Sequence, residues 1–277
     1  MKKSVTLRVL AYHKVQNCFQ FEKQLKHLKA HYNIIEYREL FEALYKEKSL
    51  PKNPVLITFD DGDLSNYKNA YPYLLKYKAS AVFFIITNLI NTNDPFWWDE
   101  IEYYQGKESG DKKVWEVKNW DNKKRELYLE ELRKKSDKPP MIYSQLTTSD
   151  LEEMCNNRMT IANHSHTHPM FNNCTFEELD EELESSISIL EDLKFTSRAF
   201  AYPNGNFSDK AEKKLKEHGI KLAFLFDHKI NRGHLNPLRI SRLIVNDTTP
   251  IWKLKFILSG WHSKILPLTR ALGKLRK

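Results

Sequence analysis

Short apolar runs recur along this chain, and most are followed by a stretch with helical spacing; that alternation restricts the fold more than any other feature of the sequence. Ser4 to Ala11, Asn33 to Ile35, Pro54 to Phe59, Ser80 to Thr87, Met159 to Ala162, Arg198 to Ala201, Ile220 to Phe226 and Leu238 to Val245 read as eight candidate strands. Between them, Phe21, Leu25 and Leu28, then Tyr67, Ala70, Leu74 and Tyr77, recur at helical intervals. Thr175 with Glu178 forms a capping box ahead of a helix whose apolar face is Phe176, Leu179, Leu183, Ile187 and Leu190, and a later helix from Ser208 stops at Gly219. Ala81 to Ile86 is apolar on both faces, as a parallel strand covered by helices must be. The pattern predicts an α/β fold, a distorted (β/α) barrel of seven to eight strands, which 277 residues can fill as one unit.

Two segments depart from it. Residues from about 91 to 144 are dense in charge, hold a helical stretch near Lys123 to Lys135 and stop at Pro139-Pro140, and so read as an insertion over one end of a barrel spanning residues 1–250. From 251 to 277, Leu254, Ile257, Leu258, Trp261, Ile265, Leu268, Leu272 and Leu275 keep helical spacing with basic residues opposite, although Gly260 and Pro267 interrupt it. The formal net charge is +8, but no acidic residue follows Asp247, so the excess is largely C-terminal. It fits a peripheral contact with an anionic membrane, or a frayed basic end on a barrel-closing helix, and nucleic acid is not expected as a partner. Arg8 interrupts the first apolar run too early for an export signal, and three cysteines without metal or redox spacing suit a reducing compartment. Cytoplasmic residence is expected, peripheral at the inner membrane face if the C-terminal segment binds lipid. The oligomeric state leaves no trace in the sequence.

Chemistry collects where the strands end. Pro54-Val-Leu-Ile-Thr-Phe59 runs into Asp60-Asp61-Gly62, two carboxylates that repel when both are ionised, unless a metal takes one or a turn solvates both. Asn163-His-Ser-His-Thr-His168-Pro169 follows a later strand. In an extended chain His164, His166 and His168 share a side; in a helical turn only His164 and His168 do. Two histidines with one carboxylate form a recognised catalytic coordination for zinc or a similar divalent ion, and either aspartate can supply the carboxylate. The other aspartate could then take a proton from a metal-activated water in a hydrolytic site. His13, at the end of the first candidate strand, suits the acid that protonates a leaving group. Trp97 and Trp98 could stack on a sugar ring or pack the insertion, and Asp99 could reach a sugar hydroxyl.

Taken in order, Thr58-Phe-Asp-Asp-Gly62, His164-Ser-x-x-His168-Pro169 and Phe200-Ala-Tyr-Pro-x-Gly205 resemble the three motifs of the NodB-homology polysaccharide deacetylases, carbohydrate esterase family 4. The resemblance spans roughly residues 5 to 245. It implies a distorted (β/α) barrel and metal-dependent removal of an N-acetyl group from an amino sugar in a polysaccharide, an oligosaccharide or a lipid-linked precursor. By that resemblance Asp61, His164 and His168 are the ligands, usually of zinc, Asp60 is the base, and the backbone N–H of Tyr202 helps hold the oxyanion. Many members carry an arginine and a second proline where this chain has Ala201 and Tyr202, and Asn204 stands where an aromatic is frequent. That departure resembles the branch of biofilm poly-N-acetylglucosamine deacetylases, whose acid histidine comes from an N-terminal strand, as Leu10-Ala-Tyr-His13 would allow. Two rivals remain: an amidohydrolase-type barrel using His164 with His166, and a non-catalytic carbohydrate-binding barrel.

Overall fold

The computed structural model describes residues 5–263 and 265. Its strands are β1 (Val5–Tyr12), β2 (Asn33–Ile34), β3 (Pro54–Phe59), β4 (Val82–Ile85), β5 (Thr160–Asn163), β6 (Thr196–Ala201), β7 (Leu222–Phe224), β8 (Asn231–Gly233) and β9 (Leu243–Ile244). The helices are α1 (Cys18–His31), α2 (Tyr37–Tyr45), α3 (Tyr71–Lys76), α4 (Trp97–Gln105), α5 (Lys107–Val117), α6 (Asn122–Lys135), α7 (Thr148–Asn156), α8 (Phe176–Asp192), α9 (Asp209–Glu217) and α10 (Ile251–Ser259).

The main sheet runs β7-β6-β5-β4-β3-β1, every pair parallel. Leu243 of β9 pairs with Leu10 of β1, while Ile240 bridges to Phe224 of β7, so residues 240–244 join the two ends of the sheet and curl it into the expected barrel. Alternation sorts the strand residues into two layers. Val9, Leu56, Val82, Phe84, Ala162, Ala201 and Phe224 cluster in the lumen, whereas Val55, Ile57, Phe59, Phe83 and Ile161 pack outward on the helices. Every residue of β3 and β4 is buried, which explains why both are apolar apart from Thr58, whose hydroxyl donates to the Leu10 carbonyl.

Three elements differ from expectation. β8 is an antiparallel strand on the start of β1, and its Asn-Arg-Gly sequence has no apolar pattern to announce it. The insertion contains three helices rather than one, with a core of Trp97, Ile101, Val114, Val117 and Leu129 that Met170 joins from the barrel. Gly110 lets α5 lie against α4, since a Cβ there would sit 2.5 Å from the Glu102 Cα. Phe176, expected on the core face of α8, is largely exposed.

At the C-terminus, Gly260 adopts a left-handed conformation and ends α10. Leu254, Ile257 and Leu258 are buried in the layer outside the sheet, so this part of the expected amphipathic helix packs onto the barrel. Leu268, Leu272, Leu275 and the basic residues among them lie outside the described residues.

Candidate active site

The lumen alternation of β3 continues past its end. Leu56 faces inward, Thr58 follows it, and Asp60 therefore emerges inside the barrel mouth, almost wholly buried. A buried carboxylate needs a partner, and Arg242, itself 0% exposed, supplies one: Nη1 and Nη2 donate to Oδ1 and Oδ2 of Asp60 at 2.6 and 2.7 Å. Arg242 also donates from Nη1 to Thr58 Oγ1 and from Nε to the Leu225 carbonyl, so it fixes Asp60 relative to two strands. Burial alone would raise the pKa of Asp60, but the Arg242 guanidinium and then His164 hold it below the ordinary value.

Asp61, one residue on, turns the other way with a left-handed backbone, φ 71°. Its Oδ1 lies 3.3 Å from His164 Nε2 and 3.6 Å from His168 Nε2. Among the described residues these three form the group of side chains able to hold a metal, with ligand atoms within 4.8 Å of one another. Tetrahedral ligands at bond lengths of about 2.0–2.1 Å stand about 3.3 Å apart, so two of the three edges suit a zinc-sized ion. The tautomer fits as well, because His164 Nδ1 meets the Ala201 carbonyl at 2.9 Å and must carry the proton, leaving the Nε2 lone pair free. Burial tends to raise Asp61, yet the His164 hydrogen bond and the charges of His13 and His168 leave its pKa lowered. The same burial, aided by His164, holds His168 well below its ordinary value and thus neutral, as a ligand must be.

The question of which histidines pair is decided by the loop after β5. Ser165 and His168 both take left-handed backbone, and the Ser165 hydroxyl accepts the His168 N–H at 3.0 Å. Buried Glu182 on α8 accepts the N–H groups of His166 and Thr167, while Arg125 and Trp97 of the insertion donate to the His168 carbonyl. The resulting turn brings His168 to His164 and sends His166 to Thr87 Oγ1, 2.9 Å away. The arrangement an amidohydrolase would use, His164 with His166, is not the one this fold builds.

A cavity of about 230 Å³ lies over the cluster, lined by His13, Asp60, Asp61, Trp98, His164 and His168. His13 stands edge-on to Phe226. Trp98 is stacked on Phe96 and edge-on to His168, so one of its faces is already covered. Two expected residues are placed otherwise. Asp99 is bound to Lys14 Nζ at 2.9 Å and does not line this cavity, because the helical repeat of α4 turns it away from Trp98. The Tyr202 N–H donates to the Phe224 carbonyl in the β6–β7 ladder, and its side chain is buried against Leu238, which leaves no donor for a substrate. Lys118, Trp115, Glu102 and Asp111 of the insertion also line the cavity, and Lys118 Nζ donates to Asn204 Oδ1 at 3.2 Å. Spread over α4, α5 and the end of α5 in a charge-dense segment, they carry no signal that would have singled them out.

The polysaccharide deacetylase family model matches residues 47–223, well over half of the chain. This chain belongs to the polysaccharide deacetylase family. The match includes Asp60, Asp61, His164 and His168, while His13 and Arg242 lie beyond it on either side. The poly-beta-1,6-N-acetyl-D-glucosamine N-deacetylase of Staphylococcus aureus strain MSSA476 is 28% identical over 231 residues, covering 82% of this chain and 67% of that protein. The enzyme of the same name from Staphylococcus epidermidis is 27% identical with the same coverage. Among solved structures, IcaB from Ammonifex degensii aligns with a TM-score of 0.66 at 22% identity, covering 91% of this chain and 95% of its own. The Streptococcus pyogenes deacetylase PplD, solved with acetate, aligns at 0.69 and 20%, covering 92% and 99%. These two show that the deacetylase shares their fold. Arg242, beyond the matched segment, supplies the guanidinium that holds Asp60.

Proposed function

We propose that this chain is a metal-dependent N-deacetylase that hydrolyses the acetamide of N-acetylglucosamine units in a glycan. The observation that carries the reading is the convergence of Asp61, His164 and His168 on one point beside the buried Asp60–Arg242 pair. Asp61, His164 and His168 would hold the ion, zinc by the chemistry of the donors. A bound divalent ion polarises a carbonyl oxygen and acidifies a coordinated water.

The remaining steps belong to the chain's own groups. Asp60, kept ionised and aimed by Arg242, accepts the proton from the attacking water, so that its carboxylate acts as general base. His13, across the cavity, donates a proton to the departing amine. The oxyanion needs a backbone donor from the 202–205 turn, and elimination identifies one. Tyr202 N–H is taken by Phe224, Pro203 has no N–H, and Gly205 N–H donates to Tyr202 O. Asn204 N–H is left, in a residue with left-handed backbone that lines the cavity. Losing such a donor costs on the order of a hundredfold in rate. Trp98 supplies an apolar wall for the sugar ring.

The names of the staphylococcal relatives support a β-1,6-linked N-acetylglucosamine polymer as substrate. Three free cysteines support a reducing compartment, so we place the enzyme in the cytoplasm, to be checked by fractionation. The test of the activity is acetate release from N-acetylglucosamine oligomers by zinc-loaded enzyme. Release that stops on chelation and returns with zinc is expected. A protein that binds the oligomers without releasing acetate would be a carbohydrate-binding barrel instead.

A further inference from the structure

We propose that Lys118 of the insertion is a further catalytic residue, whose ammonium donates to the oxyanion formed when water adds to the acetamide carbon. The inference rests on the deacetylase reading for the reaction it serves. Several lysines of the insertion are paired locally: Lys112 with Glu108, Lys113 with Glu116, and Lys134 with Glu130. Lys118 is different. Its half-buried side chain lines the catalytic cavity, and Nζ donates to Asn204 Oδ1 at 3.2 Å. Burial lowers its pKa, and among the described residues Asp61 and Asp111 oppose that fall only through space, with no carboxylate bonded to the ammonium.

The backbone fixes the position and leaves the side chain free. Lys118 is the first residue beyond α5; its N–H donates to the Val114 carbonyl, and its own carbonyl accepts from Asn173 Nδ2, at 3.1 Å, in the loop after the histidine motif. Nζ lies over the Trp115 ring, 4.7 Å from its centre, so an aromatic face steadies the cation from one side. An ammonium has three donors, and the Asn204 bond uses one. That bond also brings the ammonium to the residue whose backbone N–H is left for the oxyanion, so both donors serve the same side of the cavity. Charge favours the assignment. Asp60, Asp61, Glu102 and Asp111 place four carboxylates around the cavity. A divalent ion and Arg242 offset three of those charges, and negative charge developing on the acetamide oxygen would then meet a site that is already negative. Lys118 supplies the missing positive charge. Held in place before the reaction, it acts on the oxyanion far more than on the neutral substrate, which is what raises kcat. Addition of water moves the electron pair of the C=O bond onto oxygen; Lys118 donates a hydrogen bond to that oxygen and keeps its proton, while Asp60 and His13 carry the protons that move.

The test uses the full zinc-loaded chain, an N-acetylglucosamine pentamer, and 4-nitrophenyl acetate, an acetyl ester with no sugar. Lys118→Met should lower kcat on the pentamer about a hundredfold with KM within about twofold, because the contact forms only in the transition state. Zinc-dependent hydrolysis of the ester should fall by a similar factor, and Lys118→Arg should recover part of both losses. Acetate, which shares the charge of the oxyanion, should bind Lys118→Met about tenfold more weakly by calorimetry, a reading that involves no turnover. Zinc content and melting temperature should match wild type. Should Lys118→Met fail to fold, Lys118→Gln, which keeps a polar chain without the charge, takes its place. Wild-type kcat in a folded variant would overturn the proposal. So would a loss confined to pentamer KM with the ester unaffected, which would assign Lys118 to the sugar. Ester hydrolysis and acetate binding that depend on Lys118, in a wild type that releases no acetate from the pentamer, would uphold Lys118 and overturn the deacetylase reading.

Discussion

Asp60 and Arg242 show both the reach and the limit of reading this site from sequence. The adjacent acids and the spaced histidines are visible because each pair sits within five residues at the end of an apolar run, where a barrel places its chemistry. Arg242 carries no such mark: it lies 182 residues from Asp60, outside any motif, and only the closure of the sheet brings it there. The Tyr202 amide, expected to hold the oxyanion, donates to the Phe224 carbonyl instead, because a strand amide's partner depends on where the ladder ends. A buried charge stripped of its partner is costly, so Arg242→Met should destabilise the fold by about 3–5 kcal/mol in urea titrations. Adding Asp60→Asn to that variant should recover a large part of the loss, because the uncompensated charge is then gone. A double variant no more stable than Arg242→Met alone would mean that the pair contributes through packing.

At the scale of elements, periodicity served well wherever one face is buried against the sheet, as in α1, where Phe21, Leu25 and Leu28 are all in the core. It served poorly where few residues are buried. α5 buries only Gly110, Val114 and Val117, and its charge density hid the helix; β8 has no apolar alternation and pairs with β1 through backbone bonds and the Asn231 side chain. α9 carries a pH-dependent contribution of its own. Its buried Glu212 accepts hydrogen bonds from Arg239 and Lys216, and chiefly the Arg239 bond lowers its pKa. A carboxyl lowered in the folded state adds stability that is fully present above its unfolded pKa of about 4.3, and this is lost as pH falls through the folded value. Glu212→Gln should thus be less stable than wild type by about 1 kcal/mol at neutral pH, where half-exposed Arg239 limits the gain. The difference should close in the acid range below the ordinary glutamate pKa, as followed by thermal melts from neutral to acid pH. A gap that stays constant across those melts would assign the effect to shape rather than charge.

For the whole molecule, the barrel was legible because eight apolar runs must be covered on both faces, and a closed parallel sheet with outer helices does that within one domain. The C-terminal basic segment is a separate matter. α10 gives Leu254, Ile257 and Leu258 to the core and leaves Trp252 exposed beside Lys253. Full-length chain should pellet with vesicles containing anionic lipid and a truncation before Ser263 should not; equal pelleting would remove the membrane from the account. The claim on which the rest depends is the division of work between the two adjacent acids, Asp61 holding the metal and Asp60 moving the proton. It is tested most directly by measuring zinc content and acetate release together in Asp60→Asn. The variant should keep one zinc per chain, as wild type should, while acetate release falls by about a hundredfold or more. Release at the wild-type rate with zinc retained would contradict it.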